Sequence, residues 1–207
     1  MDKTEKEPDT RWTRSARFLF EGSMLKNTMR TGYSFLGKGQ ESVAAHTFGM
    51  TLAAMVLARS RQGINMEKLL KLCLLHDLPE ARTGDANAVH KLYIVIDEQA
   101  AVRDMVKGLP GGEEITELLD EYRRCETEEA ILAHDADQID MLLSLKEHYD
   151  TGSTDAALWM PHVMARLQTK EAEALAEAIL GEHWAGWWMR QLLGEHRSSR
   201  NTGNDQP

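Results

Sequence analysis

The stretch LLHDLPE, residues 74–80, places a histidine and an aspartate side by side at the end of an apolar run. Polar side chains in such a position are costly to bury unless hydrogen bonds, each other or a cation satisfies them. His46 lies inside a second apolar run, and Asp137 lies inside a third. The four side chains His46, His76, Asp77 and Asp137 therefore predict a divalent-metal site to which three helices contribute.

The overall charge limits the partners that this chain can have. A formal net charge of -9 argues against a surface for a nucleic-acid polymer, which needs a basic patch to neutralise phosphates. A small phosphorylated substrate stays open, because one local cation and one metal can outweigh the global field. The longest stretch without a charged residue, 42–58, contains a histidine and two threonines, and so favours a core helix over a membrane span.

Cysteine usage and the first residues bear on the compartment. The chain has two cysteines, Cys73 and Cys125, and neither suggests a disulfide framework, so a reducing, cytoplasmic location is expected. Residues 1–8 contain no apolar segment of the kind that a secretory signal needs.

Helical patterns dominate the chain, and no stretch reads as a convincing strand. The sequence predicts an all-α bundle that forms a single domain over residues 11–196, with disordered segments at 1–10 and 197–207. Helices are expected over 11–26, 41–61, 65–76, 94–107, 113–150 with a possible break, 156–167 and 169–194. Ser42 is a reasonable N-cap for the second of them.

Helical spacing places both histidines on inward faces. His46 shares one face of its helix with Val43 and Met50, and His76 shares one with Cys73 at the last turn of the next helix. Pro79 is expected to stop that helix, which leaves Asp77 and Glu80 on a turn. The aspartate of the third helix is less certain, because periodicity does not choose between Asp135, Asp137 and Asp140.

The candidate ligands and their neighbours suggest hydrolytic chemistry. Two imidazoles and two carboxylates suit Zn, Mn, Co, Fe or Ni better than Ca. Glu80 and Asp85 follow in the turn PEARTGD, where carboxylates could orient a water or exchange a proton with it. Arg30 carries a planar fork of donors that is suited to a phosphate.

Four stretches in order, RTGY (30–33), ESVAAH (41–46), HDLPEARTGD (76–85) and DADQ (135–138), resemble the HD superfamily of metal-dependent phosphohydrolases. The finer resemblance is to its 5′-deoxynucleotidase branch. It implies an all-helical fold, one divalent metal, frequent dimers, and hydrolysis of a nucleoside 5′-monophosphate by an activated water.

The resemblance also implies roles for individual residues. It maps the metal ligands to His46, His76, Asp77 and Asp137, and so chooses among the three aspartates. It maps the catalytic carboxylates to Glu80 and Asp85, with their division of roles open, and phosphate recognition to Arg30. Thr31 follows Arg30 where a bacterial member has a tryptophan, so the choice between deoxyribose and ribose also stays open.

Three alternatives remain from the sequence. The same site could serve a phosphodiesterase or an alarmone hydrolase. The chain could instead be a nucleotide-binding or scaffolding protein whose metal is structural. His134, three positions before Asp137, could mark a second metal.

Overall fold

The computed structural model describes residues 10–193, and over this range the chain is helical without any strand beyond an isolated bridge between Met29 and Ser42. The prediction of an all-α fold is therefore confirmed. The α-helices are α1 (Arg11–Gly22), α2 (Val43–Ala58), α3 (Met66–Leu75), α4 (Glu80–Thr83), α5 (Glu98–Val106), α6 (Gly112–Arg124), α7 (Glu128–Asp150), α8 (Met160–Met164), α9 (Lys170–Gly181) and α10 (Gly186–Leu193). Short 3-10 helices cover Ser23–Lys26, Thr31–Leu36, His90–Leu92 and Thr154–Leu158.

Helix α7 is the centre of the bundle. It packs against α2, α3, α6, α8 and α9, and α2 also packs against α3. Fully buried side chains such as Met50, Leu72 and Leu142 fill the space between these helices. Burying each side chain of this size contributes about 1.5–3 kcal/mol relative to leaving it exposed, so the bundle holds its long helices firmly. Within residues 10–193, no helix is both long enough and apolar enough to cross a membrane.

The start of α2 is set by the residue that the sequence singled out. The Ser42 side chain accepts a hydrogen bond from the backbone N–H of Ala45 at 3.2 Å, as expected of an N-cap. Arg30 and Val43 add backbone hydrogen bonds between the preceding loop and this helix start. The first turn of α2 is therefore fixed in rotation, and His46 faces the core.

Two long predicted helices are broken in the structure, and for the first of them a break was considered possible. The predicted helix 113–150 is divided into α6, which ends at Arg124 because Cys125 adopts a left-handed conformation with φ of 51°, and α7, which starts after its own N-cap, Thr127. The predicted helix 169–194 is interrupted after Gly181, where Glu182 is extended. In both places a backbone turn interrupts a pattern that continues in the sequence.

The segment after α3 also differs from its prediction. Helix α3 ends at Leu75 as expected, but the chain does not remain a loop, since Pro79 caps the short helix α4, which Glu80 opens. Pro79 is compatible with this place because a first turn needs no proline N–H. The predicted single domain over 11–196 stays a prediction, and the predicted disordered segments 1–10 and 197–207 lie outside the described residues, except for Thr10, which caps α1.

Candidate metal centre

The two histidines predicted as ligands lie next to each other, with their ring centroids 5.4 Å apart. His46 is almost fully buried, at 1% exposure, in the first turn of α2. Its Nδ1 is 2.7 Å from Asp140 Oδ2, and its Nε2 is 3.1 Å from Asp137 Oδ1. The ring is thus held between two carboxylates of α7, with Nε2 directed at Asp137.

His76 is fixed by the end of its own helix. Its Nδ1 lies 2.8 Å from the carbonyl oxygen of Cys73. Because a carbonyl can only accept, Nδ1 donates and carries the proton, and Nε2 is left to act as a ligand. This Nε2 is 3.0 Å from Asp77 Oδ2, on the turn that follows α3.

The donor atoms converge closely enough to share a cation. One ligand atom each from His46, His76 and Asp77 lies within 4.8 Å of the other two. Bonds of about 2.0–2.2 Å to Zn²⁺ would draw such atoms only slightly closer together. Asp137 is not part of this three-residue group, but its Oδ1 lies 3.1 Å from the same Nε2 of His46 and adds a second carboxylate. Two imidazole nitrogens and two carboxylate oxygens are a donor set that fits a divalent transition metal.

The structure separates the three aspartates that the sequence could not rank. Asp135 accepts hydrogen bonds from the backbone N–H and the hydroxyl of Thr169, at 3.0 and 2.6 Å, and so holds the start of α9. Asp140 contacts Nδ1 of His46, and Asp137 lies at Nε2. Of the three aspartates, only Asp137 lies at Nε2, the nitrogen of His46 that could bind a metal together with the other candidate ligands.

Neighbouring charges shift the pKa values of these groups. Burial lowers the pKa of His46, but its hydrogen bonds to Asp137 and Asp140 outweigh burial and raise the pKa to about 9. Burial opposes the ionisation of Asp77 and Asp137, yet the adjacent histidines hold the pKa of both carboxyl groups below the usual range. The site thus stabilises the ionised carboxylates of Asp77 and Asp137 next to a positive charge, which is either a protonated histidine or a metal ion.

Glu80 differs from the other carboxyl groups of the site. Burial, together with the nearby charges of Asp77 and Asp85, raises the pKa of Glu80 to about 9. Its Oε2 is buried without a hydrogen-bond partner among the described residues. A buried carboxyl group with a raised pKa beside a ligand cluster is a candidate proton donor or acceptor.

Asp85 lies near the start of the 3-10 helix Thr31–Leu36. Its Oδ2 accepts hydrogen bonds from the backbone N–H and, at 2.9 Å, from the hydroxyl of Thr31. Asn87 Nδ2 donates to the same hydroxyl at 3.0 Å. Asp85 therefore ties the segment after α4 to the residue that follows Arg30.

Arg30 lies beside His46 and is nearly buried. Its Nη1 is 3.0 Å from Glu41 Oε2 and 3.0 Å from His46 Nδ1. Tyr33 also donates its hydroxyl to Glu41 Oε2, at 2.9 Å. The guanidinium is held through its Nη1 atom, and it places a fixed positive charge next to His46.

Comparison with known proteins gives the family. The family described as HD domain matches residues 23–179, well over half of the chain. The 5′-deoxynucleotidase HDDC2 of Mus musculus is 32% identical over 140 residues, which cover 65% of this chain and 69% of that protein. The relative of the same name from Danio rerio is 32% identical over 182 residues, covering 80% and 90%. This chain belongs to the HD domain family.

Solved structures agree with the fold of this HD domain. A crystal structure of a protein from Pyrococcus horikoshii OT3 matches with a TM-score of 0.66 at 26% identity, covering 80% of this chain and 98% of that one. A predicted metal-dependent phosphohydrolase from Magnetospirillum magnetotacticum MS-1 matches with a TM-score of 0.62 at 22% identity, covering 84% and 95%, and this likeness shows the fold alone.

A cavity of about 560 Å³ opens beside the candidate centre of this HD domain. Its polar lining residues include Arg30, Asp85, Asn87, Gln138, Ser144, His162 and Arg166. Most of the wall is apolar and includes Phe35, Leu36, Met141, Leu145, Leu158, Trp159 and Val163. A mostly apolar cavity with a few polar groups is typical of a site for a small organic molecule.

Sequence reasoning missed Glu41 and Asp140 as parts of the site. Asp140 was weighed only as a possible ligand, although its position one turn after Asp137 on α7 brings it to the other nitrogen of His46. Glu41 precedes an N-cap and gave no signal of burial. His134, considered for a second metal, stacks on Tyr122 and has its Nε2 2.8 Å from the carbonyl oxygen of that residue.

Proposed function

We propose that this protein is a divalent-metal-dependent phosphohydrolase that removes phosphate from nucleoside or deoxynucleoside 5′-monophosphates. The observation that carries the proposal is the convergence of His46, His76 and Asp77 within 4.8 Å, next to the buried carboxyl group of Glu80. The relatives named 5′-deoxynucleotidase support the choice of substrate.

We propose His46, His76, Asp77 and Asp137 as the ligands of one Co, Mn, Zn, Fe or Ni ion. Two observations support this set. Nδ1 of His76 donates to the carbonyl oxygen of Cys73, which leaves Nε2 to bind a metal, and the pKa values of the Asp77 and Asp137 carboxyl groups are lowered. Such an ion, when bound, acts as a Lewis acid towards the phosphate and lowers the pKa of a water molecule.

The chain's own residues would bind the phosphate and move a proton. Arg30 offers the edge of its guanidinium that Glu41 leaves free, which suits a phosphate oxygen pair. Glu80 is protonated at neutral pH in the metal-free protein, so it can donate a proton from its carboxyl group to the departing 5′ oxygen. Asp85 holds Thr31, and with it the position of Arg30.

The cavity next to Arg30 supports a nucleoside as the rest of the substrate. Its volume of about 560 Å³ accommodates a sugar and a base. Phe35 and Trp159 in its wall offer aromatic surface to a base.

A substrate panel tests this proposal. Protein stripped of metal and then reloaded with Co²⁺ or Mn²⁺ is expected to release phosphate from dAMP, dGMP, dCMP, TMP or dUMP, and to lose this activity with a chelator. Ribonucleotides in the same panel measure the sugar preference. Turnover of a cyclic nucleotide, another diester or an alarmone without turnover of any 5′-monophosphate would replace the proposed reaction. Binding of nucleotides without metal-dependent turnover would favour a non-catalytic protein.

Metal binding is expected to release a proton and to tighten with pH. The pKa of His46 is about 9 in the metal-free protein, so below this pH a proton must leave before Nε2 can bind a metal. The apparent affinity is therefore expected to rise by about tenfold per pH unit up to about pH 9 and then to level off. Titration calorimetry at pH 7.5 in buffers with different ionisation enthalpies counts the released protons. A count near zero would contradict the shifted pKa.

We also propose that the protein forms homodimers through the outward face of α2. Phe48, Leu52 and Val56 on this face are 68%, 49% and 56% exposed, an unusual amount of apolar surface for one helix. Light scattering is expected to give twice the chain mass of 23.4 kDa, and Leu52→Glu is expected to shift the mass to that of one chain.

A cytoplasmic location is proposed as well. Its support is that Cys73 and Cys125 are both free thiols in the structure, which suits a reducing compartment. Microscopy of the protein with a fluorescent tag in its own cells tests this.

A further inference from the structure

We propose that Asp140 is a positioning residue, which holds the ring of His46 at Nδ1 and so keeps Nε2 turned towards the proposed metal site, and that Gly49 gives Asp140 room. The inference rests on the proposed metal site and names residues outside its ligand set. It follows from the contacts of the His46 ring and from the space around Asp140.

The first contact holds the ring of His46 at Nδ1. Asp140 is buried, at 7% exposure, and its Oδ2 is 2.7 Å from this nitrogen. Asp137 Oδ1 lies 3.1 Å from Nε2, so both nitrogens of the ring are held. When Nε2 serves as a metal ligand, the ring proton lies on Nδ1, where Asp140 can accept it. His76 is held in the same way by the carbonyl oxygen of Cys73.

The second contact is made by Arg30, whose Nη1 also lies 3.0 Å from Nδ1 of His46. Nη1 donates to Glu41 Oε2 at 3.0 Å as well, which holds the guanidinium in place. A guanidinium only donates, so it cannot accept a hydrogen bond from Nδ1. Of these two neighbours, only Asp140 can hold a protonated Nδ1 while Nε2 serves as a ligand.

The third contact involves a glycine in the middle of a helix. A Cβ atom at Gly49, one turn after His46 on α2, would overlap Asp140 Oδ1 and would lie 2.9 Å from Asp140 Cγ. Glycine costs a helix interior about 1 kcal/mol relative to alanine, so its presence here calls for a local reason. The Asp140 carboxylate occupies the space that a side chain would fill, and any substitution at Gly49 must push it away from His46.

The experiment measures metal affinity in the full-length protein rather than turnover. Co²⁺ or Mn²⁺ is titrated against a competing chelator with wild-type protein, Asp140→Asn and the control Glu147→Gln, which removes a charge from an exposed position of the same helix. We expect Asp140→Asn to weaken binding by about 10–100-fold and the control to leave it unchanged. Equal affinities for wild type and Asp140→Asn would overturn the inference. Wild-type protein that binds neither ion would instead overturn the proposed metal site.

A double-mutant cycle separates positioning from simple packing. Gly49→Ala alone is expected to weaken metal binding to a similar degree, although alanine favours the helix. In an Asp140→Ala background, the same substitution has no carboxylate to displace and is expected to change nothing. An equal loss in both backgrounds would show that Gly49 acts through packing and would remove it from the proposal.

Discussion

Glu80→Gln is expected to lower kcat for a 5′-monophosphate by about 10²–10⁴-fold, the range that a general acid or base contributes. The amide keeps the shape of the side chain but has no proton to exchange at neutral pH. Because Glu80 is outside the ligand cluster of His46, His76 and Asp77, the variant is expected to keep its metal and its fold. Steady-state phosphate release with saturating metal, together with elemental analysis, checks both parts.

The same variant has an expected effect on stability, with a sign set by the shifted pKa. The pKa of Glu80 is raised from 4.5 to about 9, so the folded protein resists ionisation of this group. Below about pH 4.5, Glu80 does not change the free energy of unfolding. As the pH rises from there towards 9, Glu80 lowers this free energy progressively. Metal-free Glu80→Gln is therefore expected to be more stable than wild type by about 1–2 kcal/mol at pH 8.

Urea unfolding at pH 5 and pH 8 measures this difference. Glu113→Gln serves as the control, since Glu113 is exposed at the start of α6 and loses the same charge. A metal bound at the site would oppose the charge of Asp77 and so reduce the gain. Loss of metal from Glu80→Gln, or full activity of this variant, would refute the place given to Glu80.

The helices that hold the site were predictable because they carry local signals. Ser42 is a recognisable N-cap for α2, and the spacing of His46 and His76 within apolar runs predicts that both rings face the core. The break at Cys125 was not predictable as a specific turn. A left-handed residue that is not glycine has no strong signal in a single sequence, and the patterns of α6 and α7 run together across it.

The carboxylates of α7 show where sequence reasoning stops. Asp135, Asp137 and Asp140 lie within two turns of one helix, so each faces a different neighbour. The choice among them depends on Thr169 and His46, which are remote in sequence and adjacent only after folding. The resemblance to a family selected Asp137, but the partners of Asp135 and Asp140 could be identified only from the folded structure.

The raised pKa of Glu80 was likewise outside the reach of the sequence. A glutamate after a proline reads as a solvated turn residue, whereas in the structure it opens α4 and has a buried carboxyl oxygen. Burial and the charges of Asp77 and Asp85 then shift its pKa together. Each of these causes depends on distances between segments rather than on local pattern.

Asp77→Asn is expected to release the metal. Asp77 Oδ2 is 3.0 Å from Nε2 of His76 and 4.0 Å from Nε2 of His46, so its carboxylate faces both imidazole ligand atoms. An amide oxygen is a weak, neutral ligand for a transition metal and brings no charge to balance the cation. Affinity is expected to fall at least about 100-fold, which corresponds to about 2.8 kcal/mol. Elemental analysis of protein purified without added metal, followed by chelator competition, measures the loss.

The metal-free variant is also expected to lose stability, and the pH dependence identifies the cause. Burial opposes ionisation of Asp77, but the charges of the two histidines lower its pKa, so the carboxylate stabilises the fold above its unfolded pKa of 3.8 and loses this effect as the pH falls further. Removing it is expected to cost about 1–2 kcal/mol at pH 6, where the histidines lose one of their carboxylate partners, and progressively less as the pH falls below 3.8. Asp85→Asn, a matched change that touches Thr31 rather than the histidines, is expected to keep its metal. Metal content that is equal in Asp77→Asn and in wild type would remove Asp77 from the ligand set and leave it only an ion-pair partner of the two histidines.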